Sequence, residues 1–242
     1  MKLREKTEYG LVAGLLGLCR ILPEGWVYAL FRGIGIAAYP LLASRRKLAV
    51  RNLEIAFPEK SLPERKRLAR KNFINLAEAM ALNTLIMSGR ITDEQLLGMV
   101  ETEGWERFEQ LSRASSKGLL VFSAHLGNWE LMPQYLALRS GKPLNVIARK
   151  TNNALMEERV VTPLREHFGV NVFYKKNAIM KMVKAINRGE NTGVLIDQRL
   201  NPPEGILIPF FGREAGTTTT TALLQIRFNI QTIPIFMMAF FL

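Results

Sequence analysis

From Gly118 onward the chain carries five short apolar runs: Gly118–Ala124, Leu144–Ala148, Val170–Tyr174, Thr192–Ile196 and Thr232–Met238. Runs of this length, bounded by turn residues, fit strands buried on both faces. Helical patterns separate them, at Trp129–Arg139, Asn153–Phe168, Asn177–Arg188 and Thr218–Phe228. Alternating strands and helices predict an α/β fold, with a mostly parallel sheet covered by helices on both faces. In such sheets chemistry gathers at the carboxyl ends of the strands. The residues that follow each run are therefore the ones to read for function.

The stretch before the first run is helical. Leu62 to Met87 reads as a helix with Pro63 near its start, Thr92 can cap a short helix through Val100, and Glu103–Ser115 reads as another. The first 43 residues differ in character. Lys2, Arg4 and Lys6 precede the apolar run Tyr9–Cys19, and a second run, Trp26–Ala43, is broken by Arg32. Neither reaches the ~18–20 uncharged residues of a clear transmembrane helix. A short or tilted span, a helix lying in the membrane interface, and a pair of ordinary buried helices all fit. The expectation is an N-terminal membrane anchor at 1–43 and an α/β domain at 44–242. The last segment, Pro234–Leu242, reads as a strand cut short.

The charge balance narrows the partners. Lys and Arg number 33 against 21 Asp and Glu, a net charge of +12, which implies a polyanionic partner such as anionic lipid, an acidic carrier or nucleic acid. The basic residues crowd into Ser44–Lys71, just after the apolar runs, where they suit an anionic, cytoplasmic membrane face. The same block has only Phe57 as an aromatic, so it lacks the interleaved aromatics of a nucleic-acid binder. Cys19 is the one cysteine, which leaves no internal disulfide, and the two histidines sit in no metal-ligand pattern. No metal or cofactor is expected.

His125 follows the first strand directly, at a strand's carboxyl end. Gly127 permits a tight turn, Asn128 can cap the helix that follows, and Glu130 falls in that helix's first turn. Residues five apart on a continuous helix point roughly 140° apart. With His125 in the loop instead, its ring and the Glu130 carboxylate can converge. The carboxylate would fix the tautomer and leave the other ring nitrogen as a general base. Nearby helix N–H groups would stabilise an oxyanion. A structural histidine beside a helix cap fits the same residues.

The segment His125-Leu-Gly-Asn-Trp-Glu130 resembles the signature of the bacterial lipid A late acyltransferases, the lauroyl and myristoyl transferase family. Arg51–Pro58, Gly193–Gln198, Ile208–Gly212 and the run Thr217–Thr221 resemble further motifs of that family, in the same order. The resemblance implies an inner-membrane enzyme with a cytoplasmic active site. It would transfer a fatty acyl chain from acyl carrier protein to a hydroxyl of a lipid A precursor. It makes His125 the implied base and Glu130 its orienting carboxylate. Arg149, Asp197, Asn128 and Arg165 are candidate substrate-binding residues. Arg149 would hold phosphate, Arg165 would either do the same or, the favoured reading, lie on a solvated helix face, and Asp197 would bind the acceptor or order the site. Members of the family usually continue beyond this endpoint, so the sheet is expected to lack an edge. An acyltransferase for another lipid acceptor, and a non-catalytic basic binding protein, are the competing readings.

Overall fold

A computed structural model describes residues 3–148, 151–174 and 177–238. Four helices come first: α1 (Leu3–Ile21), α2 (Glu24–Leu41), α3 (Ala43–Ala56) and α4 (Leu62–Met87). Ser61 and Glu64 cap α4 reciprocally, each side chain engaging the other's end of the first turn. The helix α2 packs along α4 through Val27, Phe31, Ala77, Ala81 and Leu85. Trp26, Ile34 and Leu41 of α2 are exposed. Among the described residues no single helix is long and apolar enough to cross a membrane. The pair α2 and α3 passes that test together but bends by 87° at the break.

The short helices α5 (Asp93–Gly98) and α6 (Trp105–Ala114) lead into the sheet. Its strands are β1 (Leu120–Ser123), β2 (Leu144–Ala148), β3 (Val170–Tyr174), β4 (Asn191–Leu195) and, after a separate hairpin, β7 (Thr232–Pro234). The hairpin is β5 (Gly205–Phe210) with β6 (Arg213–Thr218), paired antiparallel as its own two-stranded sheet. Helix α7 (Met132–Ser140) connects β1 to β2, and α10 (Ala178–Asn187) connects β3 to β4. Between β2 and β3 lie α8 (Ala154–Met156), a π turn (Glu157–Val161) and α9 (Thr162–Glu166), where one continuous helix was expected. Helix α11 (Thr220–Phe228) precedes β7.

The five-stranded sheet has the order β3-β2-β4-β1-β7, and every pairing is parallel. Alternation along β1 divides the core. Leu120 points to one face with Met182, Ile186 and Leu224. Val121 points to the other with Phe108, Leu136 and Leu144. Both faces are thus covered, as the unbroken apolar runs require. The final run pairs only to Pro234 and continues as irregular chain through Met238.

A buried polar ladder fixes the amino-terminal edge of the sheet. The Asn191 carboxamide accepts the Leu119 N–H at 3.0 Å, and Asn145 donates to the Asn191 carbonyl at 3.1 Å. Asn171 donates to Asn145 at 3.2 Å. Asn191→Ala would strand the buried Leu119 N–H. We expect a loss of about 1–3 kcal/mol in urea unfolding, with the opposite, carboxyl-terminal edge of the sheet unchanged below the new midpoint.

Candidate active site

Strands β1 and β4 lie side by side with Ser123 opposite Leu195. Continuing that register by two residues sets His125 opposite Asp197. The Ile196 N–H donates to the Ser123 carbonyl at 3.0 Å, the last rung before the two chains diverge. Beyond it the Asp197 carboxylate closes on His125 with both oxygens. Oδ2 accepts the His125 backbone N–H at 2.9 Å, and Oδ1 lies 2.8 Å from ring Nδ1. An acceptor-only carboxylate at Nδ1 holds the proton there and leaves Nε2 with its lone pair free to accept. Nε2 is 3.2 Å from the Gln198 carboxamide nitrogen, a donor that a substrate hydroxyl can displace. The His125 side chain is 32% exposed, so a substrate reaches it. The Trp129 ring stands 5.3 Å from the imidazole, tilted by 56°.

The loop that carries His125 is pinned from two sides. Gly127 has φ +60°, and a Cβ built on it would lie 1.9 Å from the Met237 carbonyl oxygen. That carbonyl accepts the Asn128 N–H at 3.1 Å. The Asn128 side chain is buried and closes a reciprocal pair with Asn83 of α4, at 2.9 and 3.1 Å. Gly127→Ala must therefore displace a backbone carbonyl as well as adopt a left-handed conformation. A loss of more than about 1 kcal/mol is expected from the conformation alone. Thermal unfolding of the variant, with Gly104→Ala (φ +71° but open space) beside it, separates the clash from the strain.

Several expectations need correction here. Helix α7 begins at Met132, not Trp129, so Glu130 lies in the turn before it. The Asn128 side chain does not cap the helix or face the site, because Asn83 occupies it. Its backbone carbonyl takes the Leu131 and Met132 N–H groups, and Pro133 has none. That turn therefore offers none of these three positions to an oxyanion. The carboxylate on His125 is Asp197. Glu130 instead faces Arg165 of α9, whose Nη2 is 3.4 and 3.5 Å from its two oxygens. Arg165 is largely buried, not on a solvated face, and its Nη1 has no partner among the described residues. Arg149 lies outside the described residues. His167 is remote, 3.8 Å from Asp93.

Glu157, which sequence reasoning passed over, is buried beside this cluster. Burial alone would raise its carboxyl pKa. The Thr151 N–H, the Tyr174 hydroxyl and the nearby Arg165 charge overcome that and hold it below the usual range. Between the Glu130–Arg165 pair and the sheet lies a narrow cavity of about 70 Å³, lined by Trp129, Met132, Val146 and Val194 among others. It is apolar apart from Glu130, Arg165 and Gln134.

A family model described as bacterial lipid A biosynthesis acyltransferase matches residues 2–239. The chain is 28% identical over 207 residues to the lipid A biosynthesis lauroyltransferase of Escherichia coli (strain K12), covering 86% of this chain and 65% of that protein. It is 30% identical over 213 residues to the lipid A biosynthesis palmitoleoyltransferase of the same strain, covering 88% and 67%. To the lipid A biosynthesis myristoyltransferase it is 24% identical over 227 residues, covering 93% and 68%. The chain thus spans about two thirds of the length of these relatives.

Proposed function

We propose, since this chain belongs to the bacterial lipid A biosynthesis acyltransferase family, that it transfers a fatty acyl chain from acyl carrier protein to a hydroxyl of a lipid A precursor. The observation that carries the mechanism is the Asp197 carboxylate at 2.8 Å from His125 Nδ1. With Nδ1 protonated, Nε2 takes the proton of the acceptor hydroxyl while its oxygen attacks the thioester carbonyl. The tetrahedral intermediate collapses with loss of the thiolate, which recovers that proton from Nε2. The ester and the free carrier thiol are the products, and the histidine returns to its starting state.

In this reading Asp197 is the positioning residue and His125 the catalytic base. Glu130 acts through Arg165, holding its guanidinium against the apolar cavity. The cavity's lining suits the first methylenes of the acyl chain. Exposed apolar residues on α1 and α2, with the cationic α3 beside them, support association with an anionic membrane at its cytoplasmic face. Acyl carrier proteins are acidic, so the chain's net charge of +12 suits the donor as well.

The test is mass spectrometry of lipid A from cells with and without the gene. Loss of the gene is expected to remove one acyl chain's mass from the lipid, and restoring it to return that mass. An unchanged lipid A profile would contradict the acceptor assignment.

A further inference from the structure

A cleft of about 680 Å³ is lined by residues of α2, α3, α4 and the start of β6. Three separate elements supply its cations: Arg46, Lys47 and Arg51 from α3, Lys66 from α4, and Arg213 from the first position of β6. Lys47 and Arg51, four apart, share one face of α3, and Arg46 lines the cleft beside them. One carboxylate, Glu54, lines the cleft, and Arg65 already holds it at 2.7 Å. Among the described residues, no ion pair claims any of the five cations. Like charges converging without a counterion destabilise the fold unless an anion completes them.

The cleft is also pre-formed. The Arg46 guanidinium lies 5.6 Å from the centre of the Tyr39 ring. Its Nη1 is 3.4 Å from the Pro40 carbonyl at the α2–α3 bend. The Tyr39 hydroxyl donates to the Lys66 carbonyl at 3.1 Å and ties α2 to α4. Three guanidinium forks and two ammonium groups match a phosphate monoester, whose oxygens accept several charge-assisted bonds at once.

What borders the cleft is apolar. Leu41 and Leu42 at the bend are exposed, and so is the hairpin turn, with Phe210 62% and Phe211 54% exposed. Phe211 and Gly212 form a two-residue turn with φ +48° and +70°. Such turns favour Asn, Asp or Gly at the first position. A phenylalanine there accepts backbone strain while presenting its ring to solvent, and strain of this kind gathers at functional segments. The turn touches the cleft through Arg213. The hairpin in turn grips the chain just past Asp197, through the Leu200 N–H to the Gly216 carbonyl at 2.9 Å.

We infer that this cleft binds the phosphate monoester headgroup of a lipid, with Phe210, Phe211 and Leu41 lying against the acyl region beside it. The inference deepens the acceptor reading above and rests on it. An acidic protein surface would use the cations but would leave the strained aromatic turn without a role.

The test is co-sedimentation of the full chain with phosphatidylcholine vesicles. One set carries phosphatidic acid, a monoester, and the other phosphatidylglycerol, a diester, at matched surface charge. Each lost cation should weaken binding by about fivefold. The pairs Arg51→Gln with Arg213→Gln, and Lys47→Gln with Lys66→Gln, are therefore each expected to weaken binding to the monoester vesicles by about 25-fold and to abolish the preference for them. Arg107→Gln with Lys184→Gln, an equal charge change on exposed sites elsewhere, should change binding by less than about twofold.

Equal losses in all three pairs, or no monoester preference in the wild type, would overturn the inference. Inorganic phosphate should compete only weakly. Competition at the same concentration as the vesicle-borne headgroup would overturn the lipid assignment. Capture of apo acyl carrier protein by the wild type, lost in both cleft pairs, would assign the cleft to the donor and overturn it as well. The transfer assay keeps this separate from the catalytic reading. Cleft variants should raise KM for the acceptor and keep kcat, whereas failure of the catalytic reading would appear as turnover unaffected by changes at His125.

Discussion

Replacing His125 with alanine is expected to slow acyl transfer by about 10²–10⁴-fold, the usual contribution of a positioned general base. The fold should survive. The ring lies at the end of β1, partly exposed, and contributes little to either core layer. The backbone N–H that bonds Asp197 is kept in the variant. Transfer would be followed with acyl carrier protein as donor and a lipid A precursor as acceptor, with thermal unfolding of the same preparation. A variant that transfers at the wild-type rate would remove His125 from the mechanism, whatever its geometry.

Asp197→Asn is the sharper substitution, because it preserves shape and changes one proton. Its remaining amide oxygen can keep accepting the His125 N–H. Its NH₂ then faces Nδ1, which must become the acceptor, so the ring's proton moves to Nε2. The base is lost through the wrong tautomer. A loss on the order of 10²–10⁴-fold in kcat is expected, with acceptor binding to vesicles unchanged. Glu130→Gln gives the contrast. It weakens the hold on Arg165 without touching Nδ1, and its effect on kcat should be the smaller of the two. The reverse ranking would return the orienting role to Glu130.

The sheet strands were readable because burial on both faces erases alternation and leaves continuous apolar runs. For β2 and β3 the predicted limits, 144–148 and 170–174, coincide with the strands. The last run misled because it pairs with β1 only through Pro234, with the Ile235 N–H donating to the Phe122 carbonyl at 3.1 Å as the last rung, and then leaves the sheet as irregular chain. The β5–β6 hairpin escaped notice for a related reason. Ile206, Leu207 and Ile208 are consecutive apolar residues on a ribbon exposed on both sides, with Pro209 inside it. Neither alternation nor burial marks such a segment.

The site was legible only in part. His125 could be placed at a strand end from its local sequence, and so could Asp197. Their contact could not, since it spans 72 residues and depends on β4 lying beside β1. Sequence neighbourhood favoured Glu130 because it is five residues away. Sheet order favoured Asp197 instead, and a rigid register of two adjacent parallel strands decides the outcome. Asn128 shows the same limit. Its local pattern suits a cap, while α4, distant in sequence, supplies the Asn83 amide that takes its side chain inward.

The central claim is that His125 and Asp197 work as one unit in acyl transfer. A double-mutant cycle on kcat tests it most directly, with His125→Ala, Asp197→Asn and the two combined. Residues that act together lose their effect together. The double variant is expected to be no slower than His125→Ala alone, within about twofold. Losses that multiply, so that the double variant falls by the product of the single effects, would contradict the account.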